Sequence, residues 1–347
     1  MDGEDKGGIS LMQACVFEAK ESWVVKEVKD PVPAPDEVVI EVKAAGLCGT
    51  DIHILKGEYF STFPLIAGHE FSGVVVETGK EVKNFTKGVN VVADPNIFCD
   101  RCFYCKINKN NHCLDLQAVG VTRPGAFAQY VAVPEKSVFP MPVGVSFTEA
   151  ALAEPLACAV YGAHRSALRS GEEVLIVGAG PIGLLLASLF RESGASKVVM
   201  TDISSAKLDR ATARGVDETV FAGAGQRERL RELAPRGFDL VADATGIPRV
   251  MEEALEYVQP DGTFLLFGVA PMGSSMTVDP YRVFRDDLRI IGSFAVKKTM
   301  QYSLNLLEGK RVEVKDLVSS SYPLSDFGSA LQDVLSNPDR LKVQIVF

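Results

Sequence analysis

One segment constrains the fold of this chain more than any other: Val174 to Asp202 reads as strand, tight turn, helix and strand again. Val174-Leu-Ile-Val-Gly178 leads into Gly178-Ala-Gly180-Pro181-Ile182-Gly183, an apolar helix follows from Leu184, and Lys197-Val-Val-Met-Thr-Asp202 closes the unit. That order suits a dinucleotide. Gly178 lets the strand turn sharply, Gly180 keeps a Cβ out of the way of a pyrophosphate, and Gly183 lets helix and strand pack closely. Free N–H groups at the helix start, with Pro181 and Ile182 in its first turn, favour phosphate charge. Asp202, about 20 residues past the turn, stands where a carboxylate accepts hydrogen bonds from the adenosine ribose. Its charge repels a 2′-phosphate, and no arginine stands at Ile203 or Ser204, so the expected cofactor is NAD rather than NADP. Lys207, one helical turn on, is either a second ribose contact or a solvated helix lysine. The competing reading, a glycine-rich turn without ligand, is weakened by the strand before it, the helix after it and the acid at the right distance.

A length of 347 residues predicts two domains, each with its own core. With 45 acidic against 36 basic residues the net charge is −9, which argues against nucleic acid or an anionic membrane as main partner. Residues 1–10 form a polar, glycine-rich start, expected to be a frayed tail without the apolar core of a signal peptide. No apolar run reaches the ~18 residues of a membrane span, so a cytoplasmic protein is expected. Seven cysteines are unevenly placed: Cys15, Cys48 and Cys158 are scattered, and four fall in one short segment, which suggests metal rather than disulfides.

From Leu11 to about Val145 short β segments alternate with Gly, Pro and Asp breaks, among them Val38–Lys43, Phe71–Glu77 and Ala126–Val133. A helical pattern starts at Thr148 and is interrupted at Glu154-Pro155, which puts Glu154 at a bend and Pro155 in the first turn of a new helix reaching about Leu168. Strands and helices then alternate through Glu218–Phe221, Phe238–Asp243, Gly262–Gly268 and Leu288–Phe294. Six strands with helices between them predict an α/β doubly wound parallel sheet beside an all-β domain. The tail, with a helix near Asp326–Leu335 and a last strand Val343–Phe347, is expected to rejoin the first domain.

Cys99-x₂-Cys102-x₂-Cys105-x₇-Cys113 is the second strong motif. Four thiolates close a tetrahedron around zinc at ~2.3 Å and leave no position for substrate, so the ion would be structural. An iron–sulfur cluster is the rival; ferredoxin motifs continue with a three-residue gap and Cys-Pro, whereas here the gap is seven and Leu114 follows. Gly46-Leu-Cys48-Gly-Thr50-Asp51-Ile-His53 and Gly68-His69-Glu70 form a looser set. Singly, Cys48 reads as a buried thiol, His69 as a core histidine and Glu70 as a surface acid. Their weight comes from occurring together with the cofactor motif.

In combination these motifs resemble the zinc-dependent medium-chain dehydrogenase/reductase superfamily, and within it the polyol (sorbitol and arabinitol) dehydrogenase branch. The resemblance runs from about Leu11 to Phe347 and rests on Gly46-x-Cys48-Gly-Thr50-Asp51-x-His53, Gly68-His69-Glu70-Phe-x-Gly73, the four-cysteine loop, Glu154-Pro155-Leu156 and the dinucleotide turn, in the family's order. It implies a GroES-like catalytic domain of residues 11–156 and 298–347, with a structural-zinc loop at 99–113, and a Rossmann NAD-binding domain of residues 157–297. It implies catalytic zinc on Cys48 and His69, with Glu70 or Glu154 as further ligand; the familiar alcohol dehydrogenases carry cysteine where Glu154 stands. An open-site zinc is a Lewis acid that favours an alkoxide, from which hydride passes to the nicotinamide. By the same resemblance Thr50 accepts the alcohol proton and passes it by way of the cofactor ribose towards His53, Asp51 orients His69, and Val269 and Phe294 lie near the nicotinamide; as a loop hydroxyl, Thr50 would instead cap backbone. Tyr59, Phe60, Phe127 and Phe294 are pocket candidates, each equally readable as core.

The function this implies is zinc- and NAD-dependent, reversible oxidation of a secondary hydroxyl of a sugar alcohol, such as D-arabinitol, xylitol or sorbitol, to the ketose. Alternatives are a threonine- or butanediol-type or a phosphorylated-polyol dehydrogenase, for which Arg123 could meet the phosphate, and a non-catalytic dinucleotide-binding protein on the same fold. The family is usually dimeric or tetrameric, so a homo-oligomer is expected.

Overall fold

The structure, a computed structural model, describes residues 10–347. The expected tail at 1–10 lies outside them except for Ser10, which is exposed.

The first part of the chain forms strands β1 (Leu11–Ala19), β2 (Ser22–Lys29) and β3 (Glu37–Leu47), helix α1 (Gly49–Leu55), and strands β4 (Leu65–Ile66), β5 (Glu70–Thr78), β6 (Asn90–Ala93) and β7 (Asn96–Ile97). Helix α2 (Phe103–Lys106) sits in the cysteine loop, followed by β8 (Gln117–Ala118), β9 (Tyr130–Pro134) and β10 (Val138–Pro140). The long strand β3 is the hub, pairing antiparallel with β5 and β9. Val38, Val39, Ile40 and Val42 are all buried, so this part of β3 is covered on both faces. The expected strand Ala126–Val133 is shorter than its sequence suggests. Only Tyr130–Pro134 pairs as a strand; Ala126 to Phe127 instead threads between β1 and the Ala67–Gly68 turn, with the Cys15 amide donating to Phe127 O and the Phe127 amide donating to Ala67 O. Phe127 is fully buried and packs edge-on against Phe327 in the core.

Helices α3 (Phe147–Ala150) and α4 (Ala153–Ser166) follow. The break falls at Ala151–Leu152, so Glu154 lies in the first turn of α4 rather than at the bend itself. Pro155 fits there because the first turn of a helix has no amide bonds for it to break.

The second part alternates β11 (Glu173–Val177), α5 (Pro181–Glu192), β12 (Lys197–Asp202), α6 (Ser205–Ala213), β13 (Glu218–Phe221), α7 (Gln226–Leu233), β14 (Phe238–Asp243), α8 (Pro248–Leu255), β15 (Val258–Leu266), α9 (Pro280–Arg285) and β16 (Arg289–Gly292). These six strands form one all-parallel sheet in the order β13-β12-β11-β14-β15-β16. The order reverses between β12 and β14, on either side of β11, and at such a switch point the carboxyl ends open a ligand crevice. Strand β11 is buried from Val174 to Val177, as a central parallel strand covered on both faces must be. One apolar layer lies under α4, α5 and the helix α10 (Met300–Glu308), the other under α7 and α8.

After α10 come β17 (Val318–Pro323), α11 (Phe327–Ser336) and β18 (Lys342–Val346). The last strand returns to the first sheet, pairing antiparallel with β3 so that Val343 faces Leu47 and Val346 faces Ala44. No helix among the described residues is long and apolar enough to cross a membrane.

Candidate active site and cofactor cleft

Two loops and one strand converge beside the start of α1. Cys48 is the N-cap of that helix, and Asp51 at its third position reaches back to accept the Cys48 amide at 2.8 Å. The same carboxylate accepts the Gly68 amide at 3.3 Å and lies 3.3 Å from His69 Nδ1. A fully buried aspartate thus ties the Cys48 loop to the His69 loop, and with Nδ1 turned to Asp51 the imidazole presents Nε2 on its other side. Cys48, His69 and Glu70 bring ligand atoms within 4.8 Å of one another. Glu70 fits because Gly46 lies opposite it in the β3–β5 pairing: a Cβ on Gly46 would come within 2.2 Å of Glu70 Oε2.

The electrostatics are those of a site short of positive charge. Burial alone would lower the His69 pKa, yet the Asp51 carboxylate and the Cys48 thiol beside it hold it well above the ordinary histidine value. Burial pushes Glu154 up to about 7, helped by nearby Glu70 and opposed by His69. Glu154 lies outside the 4.8 Å cluster; its Oε1 accepts only the Cys158 thiol, at 3.4 Å. Glu70 is compensated instead by Lys342, whose buried ammonium donates to Oε1 at 2.7 Å and to Leu47 O at 3.3 Å. His69 Nδ1 and Glu70 Oε2 are buried without a well-formed hydrogen bond. Three donors of thiol, imidazole and carboxylate type, with Glu70 Oε2 buried and without a partner, fit a zinc ion with an open position. Thr50 follows Cys48 in the first turn of α1, and His53 Nδ1 pairs with Glu58 Oε2 at 2.9 Å at the exposed edge. Arg123, which the sequence leaves open as a phosphate contact, is instead ion-paired to Glu37.

The four-cysteine loop closes on itself. Cys99, Cys102, Cys105 and Cys113 place their sulfurs within 4.8 Å of one another, and all are free thiols. Cys102 Sγ to Cys113 Sγ is 4.0 Å, near the ~3.8 Å edge of a tetrahedron with ~2.3 Å bonds and far from the ~2 Å of a disulfide. Backbone amides of Leu114 and Cys105 lower Cys102 to about 6, whereas burial raises Cys105 to about 12. Amides of Cys99 and Asp115 point at Cys113 Sγ at 3.3 and 3.4 Å. Amide donors aimed at sulfur are what bound thiolates require, so these residues fit a closed zinc site.

At the carboxyl end of β11 the chain turns at Gly178, with φ +106°, and Gly180 caps α5. A Cβ on Gly183 would collide with Gly178 O at 1.9 Å, while a Cβ on Gly180 would meet nothing within 4 Å. The first glycine serves packing; the second keeps open the space in front of the helix N-terminus, which fits a pyrophosphate. Asp202 ends β12 and accepts the Ala179 amide at 2.7 Å and the Ser204 amide at 2.8 Å, so its carboxylate is fixed beside that turn. Lys207 is half-buried and its pKa is lowered, by burial first, against the pull of Asp202. Val269 and Phe294 follow β15 and β16, both substantially exposed, and line one cavity of about 380 Å³ at the ends of those strands. Helix α4 spans the two halves, packing on β5 and on β15 and β16.

Several residues of this region escape sequence reasoning. Lys342 carries a faint signal, a lone lysine inside the apolar run Leu341-Lys342-Val343. Asp339, which accepts the Ser204 hydroxyl at 2.6 Å, and Cys158 carry none.

The sequence pattern described as alcohol dehydrogenase GroES-like domain matches residues 34–143, and that of zinc-binding dehydrogenase matches residues 181–309. D-altritol 5-dehydrogenase of Agrobacterium fabrum is 37% identical, over 96% of this chain and 99% of that protein. D-arabinitol dehydrogenase 1 of Uromyces fabae is 34% identical, over 96% and 97%. Among solved structures, a protein of Sinorhizobium meliloti 1021 described as a zinc-binding dehydrogenase and bound to NADP superposes with a TM-score of 0.92, at 34% identity, covering 97% of this chain and all of that one.

Proposed function

The chain belongs to the zinc-binding dehydrogenase family, and from that premise we propose that it oxidises a secondary hydroxyl of a sugar alcohol to the ketose, reversibly, with NAD as acceptor. The observation that carries the proposal is the Cys48, His69 and Glu70 cluster, joined through α4 to the carboxyl ends of a parallel sheet whose β12 ends in Asp202. Cys48 and His69 would hold the catalytic zinc. Glu154 is the better third protein partner in charge terms: its buried carboxylate has no ion-pair partner among the described residues, whereas Glu70 already has Lys342. Cys99, Cys102, Cys105 and Cys113 would hold the structural ion.

When bound, these groups supply Lewis-acid polarisation of the substrate hydroxyl and acceptance of a hydride. The protein's part is alignment and proton handling. Asp51 holds the His69 ring through Nδ1 and the Cys48 loop through its amide. Thr50 would take the substrate proton, and His53, at the exposed edge beside Glu58, would hand it to solvent. Asp202, with an oxygen facing each of two backbone amides, would receive the ribose hydroxyls and disfavour a 2′-phosphate; the NADP-bound neighbour makes that preference a point to measure. Glu70, Glu154 and Lys342, buried polar groups at or near the Cys48–His69 cluster, favour a hydroxylated chain over an aliphatic one.

The test is the initial rate of NADH and NADPH formation by zinc-loaded protein across free polyols, phosphorylated polyols, threonine and butanediol. Turnover of polyols with NAD, lost on chelation and in Cys48→Ser while NAD still binds, is the expected result. Activity confined to threonine or butanediol would overturn the substrate class, and tight NAD binding with no turnover would overturn the enzymatic reading.

A further inference from the structure

Between the cysteine loop and the parallel sheet lies a cavity of about 690 Å³ whose lining contains Lys109, Arg165 and Lys297 and no Asp or Glu. In a chain of net charge −9 that is an unusual place for three cations to meet. None of the three is ion-paired with a carboxylate among the described residues, whereas the neighbouring Lys298 approaches Asp100 at 3.9 Å. Arg165 is held by its Nε, which donates to Gly292 O at 3.1 Å, so the rest of its guanidinium fork remains for a ligand. Lys297 Nζ lies 5.7 Å from the centroid of the Tyr161 ring. The loop that carries Lys297 holds two non-glycine residues in the left-handed region, Ala295 at φ +55° and Lys298 at φ +54°, a strain that persists only where the surroundings impose it.

This cavity is not isolated. His112, Tyr161, Arg165 and Phe294 also line the smaller cavity that continues to Val269, at the carboxyl ends of β15 and β16. The two form one groove running from the sheet ends, where ligands of such sheets sit, out to the cations.

We infer that this groove is a subsite for an anionic terminus of the substrate, a phosphate monoester or a carboxylate at the end of the hydroxylated chain remote from the reacting carbon. The inference rests on the dehydrogenase reading above and narrows its substrate class. A hydroxylated chain with its reacting carbon near the sheet ends lies along the aromatic walls of Tyr161 and Phe294, and its charged end meets Arg165, Lys297 and Lys109. The local cations also offset the repulsion that the acidic protein as a whole exerts on an anion.

Two measurements test this. In the first, inorganic phosphate is titrated calorimetrically into zinc-loaded protein saturated with NAD, which blocks the dinucleotide phosphate site. Binding is expected, weakened about tenfold or more in the Arg165→Gln/Lys297→Met double variant through loss of charge-assisted hydrogen bonds. In the second, KM is compared for a free polyol, its terminal phosphate ester and the corresponding aldonate. At least one anionic form should have a KM about tenfold or more below the free polyol, and the double variant should remove that advantage while leaving kcat and the free-polyol KM unchanged. The better of the two anions identifies phosphate or carboxylate as the ligand. Absence of phosphate binding, or a variant that affects free and anionic substrates alike, overturns the subsite. If no polyol of any kind is oxidised, the functional reading fails, and the phosphate titration still decides whether the groove binds anions.

Discussion

The buried pair between Lys342 and Glu70 offers a sharp test of how the last strand supports the site. The ammonium lies 2.7 Å from Glu70 Oε1, and both side chains are almost wholly inaccessible. At an effective dielectric of 20 the attraction across that distance is about 6 kcal/mol, against a desolvation penalty of several kcal/mol for each ion. The pair as a whole therefore nears balance, and removing one member leaves the other charged and buried. Lys342→Met and Glu70→Gln should each destabilise the protein by about 3–5 kcal/mol, and the double variant, which leaves no unpaired buried charge, by less than either alone. Urea denaturation of the metal-loaded protein at pH 7, with the four proteins compared at equal m-value, gives the coupling energy. Singles that cost less than about 1 kcal/mol, or a double equal to the sum of the singles, would refute the argument that these two charges stabilise one another.

Further expectations follow from individual side chains. Gly183→Ala should lower stability and abolish NAD binding, since its Cβ meets backbone oxygen; Gly180→Ala should fold normally and lose cofactor affinity about tenfold or more, both read from thermal melts with and without NAD. Equal behaviour of the two variants would remove the distinction between packing and ligand space. Cys105→Ser should lose one equivalent of zinc by elemental analysis and a large part of its thermal stability without changing NAD affinity; retained metal would exclude that thiol as a ligand. Asp94 is buried, and burial lifts its carboxyl to about 7 against two hydrogen bonds from Asn96. The unfolded group ionises near pH 4, so the cost to folding is absent below that pH, grows as pH rises and levels off above about 7. Asp94→Asn should therefore gain stability relative to the parent across that window, by up to about 4 kcal/mol, and a difference flat in pH would contradict it.

The glycine-rich turn was legible because its requirements are local: Gly178 takes a left-handed φ, Gly183 packs on Gly178 O, Gly180 leaves the helix start open, and the strand–turn–helix order lies in consecutive sequence. The same holds for the four-cysteine loop, whose sulfurs converge within fifteen residues, and for the parallel sheet, whose six strands stand where their apolar runs predict. Less local features were read less well. Ala126–Val133 has strand composition, but its first half is held by β1 and the Gly68 turn rather than by a strand partner, and Phe127 went to the core because Phe327 arrives from the far end of the chain. Glu154 moved from the bend into a helix turn because the break came two residues earlier.

What the sequence determined by itself was therefore the kind of fold, the chemical type of each donor and the cofactor motif, since all of these follow from side-chain identity at short spacing. What only the tertiary structure decided was which charges meet: Lys342 with Glu70, Asp339 with Ser204, Asp51 with the His69 loop, and the convergence of Lys109, Arg165 and Lys297 on one groove. Those meetings join positions up to 272 residues apart, and no spacing rule encodes them. They exist because β18 closes against β3 and α4 bridges the two sheets, and that closure is a property of the packed chain as a whole.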